Sequence, residues 1–207
     1  MISLLKEKNW KYFARFFLIL ISLVILFWSL ILTGLENMRD DKKTNNLRVF
    51  PIEYIKEMDN GEKILKVYKV PESKVGPENI KYPIKKFRDK LWINLSQTIK
   101  DKSEVYLLMA DKRIFEAVEL VKNKRNEDLI AKTIDEAFCN LKEAKKILIE
   151  EDKENIETIK INQQINQAGL AYEDIVKSFN YKNEEINKII NELESWNEKN
   201  EEQNEKD

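Results

Sequence analysis

This 207-residue chain is predicted to be mainly α-helical. One N-terminal transmembrane helix comes first, then a small β-hairpin, then an antiparallel helical bundle of coiled-coil character. Three observations predict it. Residues 16–35 (FFLILISLVILFWSLILTGL) carry no charge over twenty positions. No proline follows Pro83, and the only glycine beyond it is Gly169, a composition that favours helix. Apolar residues recur there at alternating steps of four and three, as heptads do.

At about 1.5 Å per residue, the apolar run spans ~30 Å, the thickness of a bilayer's hydrocarbon core. A cleaved signal has a shorter core and a small-x-small cut site; here Leu32 occupies the −3 position of a cut after Gly34. A buried helix of a soluble domain would show a polar stripe, and this run has none. The segment reads as an uncleaved anchor, with the bilayer as its partner. Lys6, Lys8, Lys11 and Arg15 precede it, and Arg39, Lys42, Lys43 and Arg48 follow, so the count that orients membrane helices is tied. The flanks differ only in acids, Glu7 before and Glu36, Asp40 and Asp41 after, which weigh little. A long C-terminal domain translocates readily behind a basic N-terminus, which favours a cytoplasmic N-terminus with that domain outside.

The predicted units are a basic lead (1–15), the anchor (16–35), a polar tether (36–46), the hairpin (47–70), the bundle (71–199) and a frayed charged tail (200–207). Of 36 basic and 37 acidic residues, four basic and one acidic lie in the first 35, leaving 32 and 36. That balance, without basic clusters, argues against nucleic acid as a partner. Histidine is absent and Cys139 is the single cysteine, so no internal disulfide and no cysteine-based zinc site can form.

Leu47 to Val70 is rich in β-branched and aromatic residues around Asp59-Asn60-Gly61, a tight-turn signal, and Pro51 confines its strand to an edge. Pro83 suits the first turn of a helix, whose stripe is Ile84, Phe87, Leu91 and Leu95. Asp101-x-x-Glu104 reads as a capping box opening a second helix. This one is apolar nearly all round (Leu107, Ala110, Ile114, Ala117, Val121, widened by Phe115 and Val118), so it is expected at the centre. Asn126 caps a third helix with the stripe Ile130, Ile134, Ala137, Leu141, Ala144, Leu148. A fourth stripe, Ile161, Ile165, Ala168, Tyr172, Ile175, Phe179, repeats the steps. The two stripes are out of phase, which places a turn near 151–155, with one long bent helix as the alternative. Asn183 caps a weaker fifth helix. The part from Lys69 to Lys199 is expected to fold alone.

Three short motifs in order, Tyr82-Pro83-Ile84-Lys85, Ala110-Asp111-Lys112-Arg113-Ile114 and Glu116-Ala117, resemble a bacterial and candidate-phylum family catalogued only as a domain of unknown function. The resemblance covers Lys69 to about Leu148. It implies a membrane-tethered helical domain facing outside and brings no activity or cofactor. Where members often carry Pro-Asp-Ser/Asn-Pro-Leu-Tyr, this chain has Pro77-Glu78-Asn79-Ile80-Lys81-Tyr82. The structural-motif residues are Tyr82, Pro83, Lys85, Asp111, Arg113 and Glu116; no catalytic, cofactor-binding or metal residue is expected.

Catalysis has little to work with. Nucleophilic hydrolysis needs a base beside the nucleophile, and no histidine exists; no glycine-rich phosphate loop occurs either. The run Asn162 to Gln167 reads as a solvated face. Two functions remain: an interaction or structural module of the cell envelope with a protein or cell-wall partner, or a single-pass signalling component coupling an outside event to an inside partner. Cys139 falls opposite the third stripe and is expected to be exposed and reactive. Asp111 falls within the central apolar stripe, where a carboxylate needs a partner. Lys85, Lys86, Arg88 or the Tyr82 hydroxyl would supply it, tying the first helix to the central one; a ligand-binding carboxylate in an open groove is the competing reading.

Overall fold

Alternating side chains set the hairpin. In the computed structural model, which describes residues 15–23, 25, 26, 29, 48–57, 61–149, 156–181 and 183–204, strands β1 (Val49–Glu57) and β2 (Lys63–Pro71) pair antiparallel, with Val49 opposite Pro71 and Glu57 opposite Lys63. Ile52, Tyr54 and Val70 turn inward and are buried, while Val49, Ile55, Leu65 and Val67 face out. Gly61 takes φ +80°, which glycine adopts freely; Asp59 and Asn60 lie outside the described residues.

Five helices follow the hairpin among the described residues: α1 (Tyr82–Leu95), α2 (Ile99–Lys122), α3 (Glu127–Ile149), α4 (Ile156–Ser178) and α5 (Glu184–Asn204). Cross-helix contacts give their directions. Tyr82 meets Glu116 while Asp89 meets Arg113, and Ser103 Oγ donates to Ala144 O while Arg113 pairs with Glu136, so α1, α2 and α3 alternate in direction. Lys145 donates to Asn162 and Asn166. Seventeen residues of straight helix would hold Lys145 and Asn162 about 25 Å apart, so the chain doubles back between α3 and α4. The turn itself lies outside the described residues.

The third and fourth stripes are buried as expected: Ile130, Ile134, Ala137, Leu141 and Ala144 are wholly enclosed, as are Ile165, Ala168 and Tyr172. So is the centre of α2, including Ala110, Ile114 and Ala117. Asn126 Oδ1 accepts from Asp128 N, and Asn183 Oδ1 from Glu185 N, as helix caps do. At Gly169 two α5 side chains come so near that an added Cβ would lie 2.5 Å from Trp196 Cζ3 and Asn197 Oδ1.

Several expectations are corrected. The stripe assigned to the core side of α1 faces outward: Ile84 is 70% exposed and Phe87 57%, while Tyr82, Lys85 and Asp89 are buried. The partner of α1 is a polar patch of α2, so charge pairing chose the buried face. The capping box at Asp101 is displaced, because Thr98 Oγ1 already accepts from Asp101 N and starts α2 at Ile99. Helix α5 continues to Asn204, through the start of the tail expected to fray. The chain divides into Met1–Leu47 and Arg48–Asp207, and the hairpin shares the helices' core, so the compact unit begins at Arg48, ahead of the expected Lys69.

Of the anchor, residues 16–23, 25, 26 and 29 are described, and all are helical and exposed. The rest of it, the lead up to residue 14 and the tether lie outside the described residues. Among the described residues, no helix is long and apolar enough to cross a membrane.

Candidate functional site

The motif residues meet between α1 and α2. Tyr82, Lys85 and Asp89 stand one helical turn apart on α1, and Arg113 and Glu116 one turn apart on α2, so two short polar stripes can zip together. Glu116 is the hub. Its Oε1 accepts from Ser73 Oγ (2.6 Å), from Arg113 NH1 (2.9 Å) and from Lys85 Nζ; its Oε2 accepts from Tyr82 OH (3.0 Å) and Arg113 NH1 (3.0 Å). Lys85 also donates to Ser73 Oγ and to the Val75 carbonyl. Arg113 reaches Asp89 Oδ2 at 3.1 Å and Glu136 Oε2 at 3.4 Å, and Arg88 and Lys86 hold the outer sides of those two acids. Pro83 lies in the first turn of α1 and takes no polar part.

Two buried cations, Lys85 and Arg113, thus face two buried anions, Glu116 and Asp89. Burial pushes the Lys85 ammonium below its usual range, against the pull of Glu116. For Arg113 burial acts downward too, but Glu116, Tyr82 and Asp89 outweigh it and raise the group. Burial, then Glu116, holds the Tyr82 phenol well above its usual value. The Arg113 guanidinium lies 5.1 Å from the Tyr82 ring centre. Every Glu116 oxygen already serves the chain's own donors, so the cluster is a lock between helices and offers no free base.

Asp111 is not part of this lock. Its Oδ1 accepts from Tyr172 OH on α4 (2.6 Å) and Tyr68 OH on β2 (2.9 Å). The expected ties to Lys85, Lys86, Arg88 or Tyr82 are therefore overturned: those groups are engaged by Glu116, Asp89 and Glu136, and Asp111 faces the opposite side of α2. Desolvation raises its carboxyl to about 6, although both hydroxyls act to lower it. Its hydrogen bonds join the hairpin and α4 to α2.

Lys112, buried at 8% exposure, was not anticipated. Among the described residues no carboxylate reaches it at ion-pair distance; its ammonium lies 5.6 Å from the Trp92 ring centre, and burial lowers it to about 8. Ser73, Asp89 and Glu136 were missed as well. Asp89 had a signal, lying four residues after Lys85 and seven after Tyr82 on one helix face; Ser73, in an irregular segment, had none.

A cleft of about 450 Å³ opens beside the lock, lined by Glu72, Glu78, Glu119, Phe115 and Lys74 with Glu116 at its wall. No group of acids, histidines or cysteines among the described residues could hold a metal ion. Cys139 is exposed as expected. Partial burial and then Asp135, whose carboxylate its thiol approaches at 3.9 Å, raise the thiol, which makes it less reactive than the sequence suggested. The Asn162 to Gln167 run splits: Asn162 and Asn166 receive Lys145, and Gln163, Gln164 and Gln167 are exposed.

Residues 74–168 match the model of a family. Its description is Domain of unknown function (DUF5667). The match agrees with the resemblance carried by the Tyr82 and Asp111 motifs. The DUF5667 stretch contains every charged member of the lock, whereas Tyr68 and Tyr172, which hold Asp111, lie outside it. No curated protein and no solved structure matches the chain.

Proposed function

We propose that this chain is a membrane-anchored extracytoplasmic helical domain that acts as an interaction or structural module of the cell envelope and carries out no reaction. The observation that carries the non-catalytic part is Glu116: a buried carboxylate that accepts from Ser73, Tyr82, Lys85 and Arg113 is saturated. Catalytic acids and bases instead keep a lone pair or proton for the substrate. The anchor rests on the uncharged run 16–35, and the outward placement on the readiness of a long C-terminal domain to translocate behind a basic N-terminus.

Washing membranes at alkaline pH and then adding protease to intact cells tests both placements. Full-length chain should stay with the washed membranes, and its C-terminal domain should be cut without lysis. Recovery in the wash would sink the anchor, and cleavage only after lysis would reverse the orientation.

A further inference from the structure

We propose that α1 is an interfacial helix whose outward apolar stripe lies on the surface of an anionic lipid bilayer. Helix α1 is amphipathic the wrong way round for a soluble domain. Its polar side, Tyr82, Lys85 and Asp89, is buried against α2. Its apolar side is left outside: Ile84 is 70% exposed, Phe87 57% and Leu95 42%, with Ile80 at 92% just ahead of the helix. A contiguous apolar patch on a folded surface marks a binding face.

Charge selects the occupant. By helical spacing Lys81 and Arg88 flank the stripe on one side and Lys90 on the other. The helix's single acid, Asp89, is buried. Basic groups bordering an apolar stripe are the pattern of helices that lie in a headgroup layer with the apolar face ~5–10 Å deep. A second copy of α1 would bring like charge against like. The basic character is local: residues 69–95 hold seven basic and three acidic side chains, in a chain of net charge −1.

Reach agrees. Resting on the anchor proposed above, the 12 residues from 36 to 47 span at most about 40 Å, so the domain never moves far from lipid. Attraction to anionic headgroups then needs to contribute only orientation, at roughly fivefold in affinity for each lysine near the surface.

The test uses the full-length chain with Cys139→Ser and a single new cysteine, Ile84→Cys on the stripe or Lys188→Cys on exposed α5, labelled with an environment-sensitive dye. One chain is placed per nanodisc of phosphatidylcholine, with or without about a third phosphatidylglycerol. The label at 84 should shift to the blue and be quenched by brominated lipid in anionic discs, and lose most of that quenching at high salt. The label at 188 should do neither. Lys81→Gln with Lys90→Gln should weaken the response at 84 severalfold. Equal behaviour at 84 and 188 overturns the proposal, as does protection of 84 only when two copies share a disc or only when an acidic protein is added. A chain that fails to enter discs defeats the anchor alone. It is then titrated with phosphatidylglycerol-containing vesicles, where a blue shift at 84 still supports the interfacial helix and its absence rejects it.

Discussion

Lys85 of α1 and Glu116 of α2, 31 residues apart in sequence, form an ion pair with both side chains almost wholly removed from solvent. Removing Glu116 leaves Lys85 with only the neutral Ser73 and Val75 oxygens and Arg113 with Asp89 and Glu136, and breaking one side of a buried pair typically costs ~3–5 kcal/mol. Glu116→Ala in residues 48–207 should therefore lower the urea midpoint by an amount of that order. Glu116→Gln, which keeps shape and an acceptor, should cost less. A midpoint unchanged by Glu116→Ala would mean the lock contributes nothing to the fold.

The hairpin is part of the domain. Ile52 and Tyr54 are buried, Phe50 packs edge-on against Phe115 with ring centres 5.2 Å apart, and Tyr68 donates to Asp111. Burial of each such side chain stabilises by ~1.5–3 kcal/mol, so a fragment beginning at Lys69 should be several kcal/mol weaker than one beginning at Arg48. Thermal melts of the two fragments followed by circular dichroism check this, and equal midpoints would detach the hairpin from the core.

What the sequence made legible was periodicity. Stripes such as Ile130 to Leu148 and Ile161 to Ile175 are buried because nothing else competes for their helix faces. The rule failed at α1, where Ile84 and Phe87 form an equally regular stripe. There a polar stripe of the same period found charged partners on α2, and pairing decided the face. Glu116 stood among the motif residues and Asp89 shared a helix face with Tyr82 and Lys85, but Glu136 looks like many surface acids until three helices bring it beside Arg113. Asp111 shows the same limit. Its place in the apolar stripe signalled a satisfied carboxylate, but its donors are tyrosines 43 and 61 residues away.

Lys112 should be better removed than kept. Its buried ammonium sits by the Trp92 ring, and its folded value of about 8 is below the ordinary 10.5. A depressed lysine contributes stability that is lost as pH falls, so at pH 7 the folded state carries an unfavourable charge. Lys112→Met should raise stability by about 1–3 kcal/mol at pH 7. The gain should shrink toward pH 10, where the native lysine sheds its proton on folding. A destabilised Lys112→Met at pH 7 would show that the ammonium has a stronger partner than the ring.

Asp111 gives the most discriminating pH test. Both Tyr68 and Tyr172 donate to the same oxygen, Oδ1, so an asparagine can present one carbonyl oxygen to both hydroxyls. The carboxyl titrates near 6 in the fold against an ordinary 3.8. A raised acid favours the folded state in its protonated form, so that contribution is complete below pH ~4 and is lost as pH rises through 6. Two units correspond to about 3 kcal/mol. Asp111→Asn has no such proton to lose, and every other group titrates alike in both proteins. Its stability relative to the native chain should therefore improve by about 3 kcal/mol between pH 4 and pH 7.5, whatever its absolute value. Urea unfolding of residues 48–207 at the two pH values measures that difference of differences. A gap that stays constant would mean the carboxylate is solvated and open to a ligand, restoring the groove reading; a gap that widens in favour of asparagine fixes Asp111 as a buried joint between α2, β2 and α4.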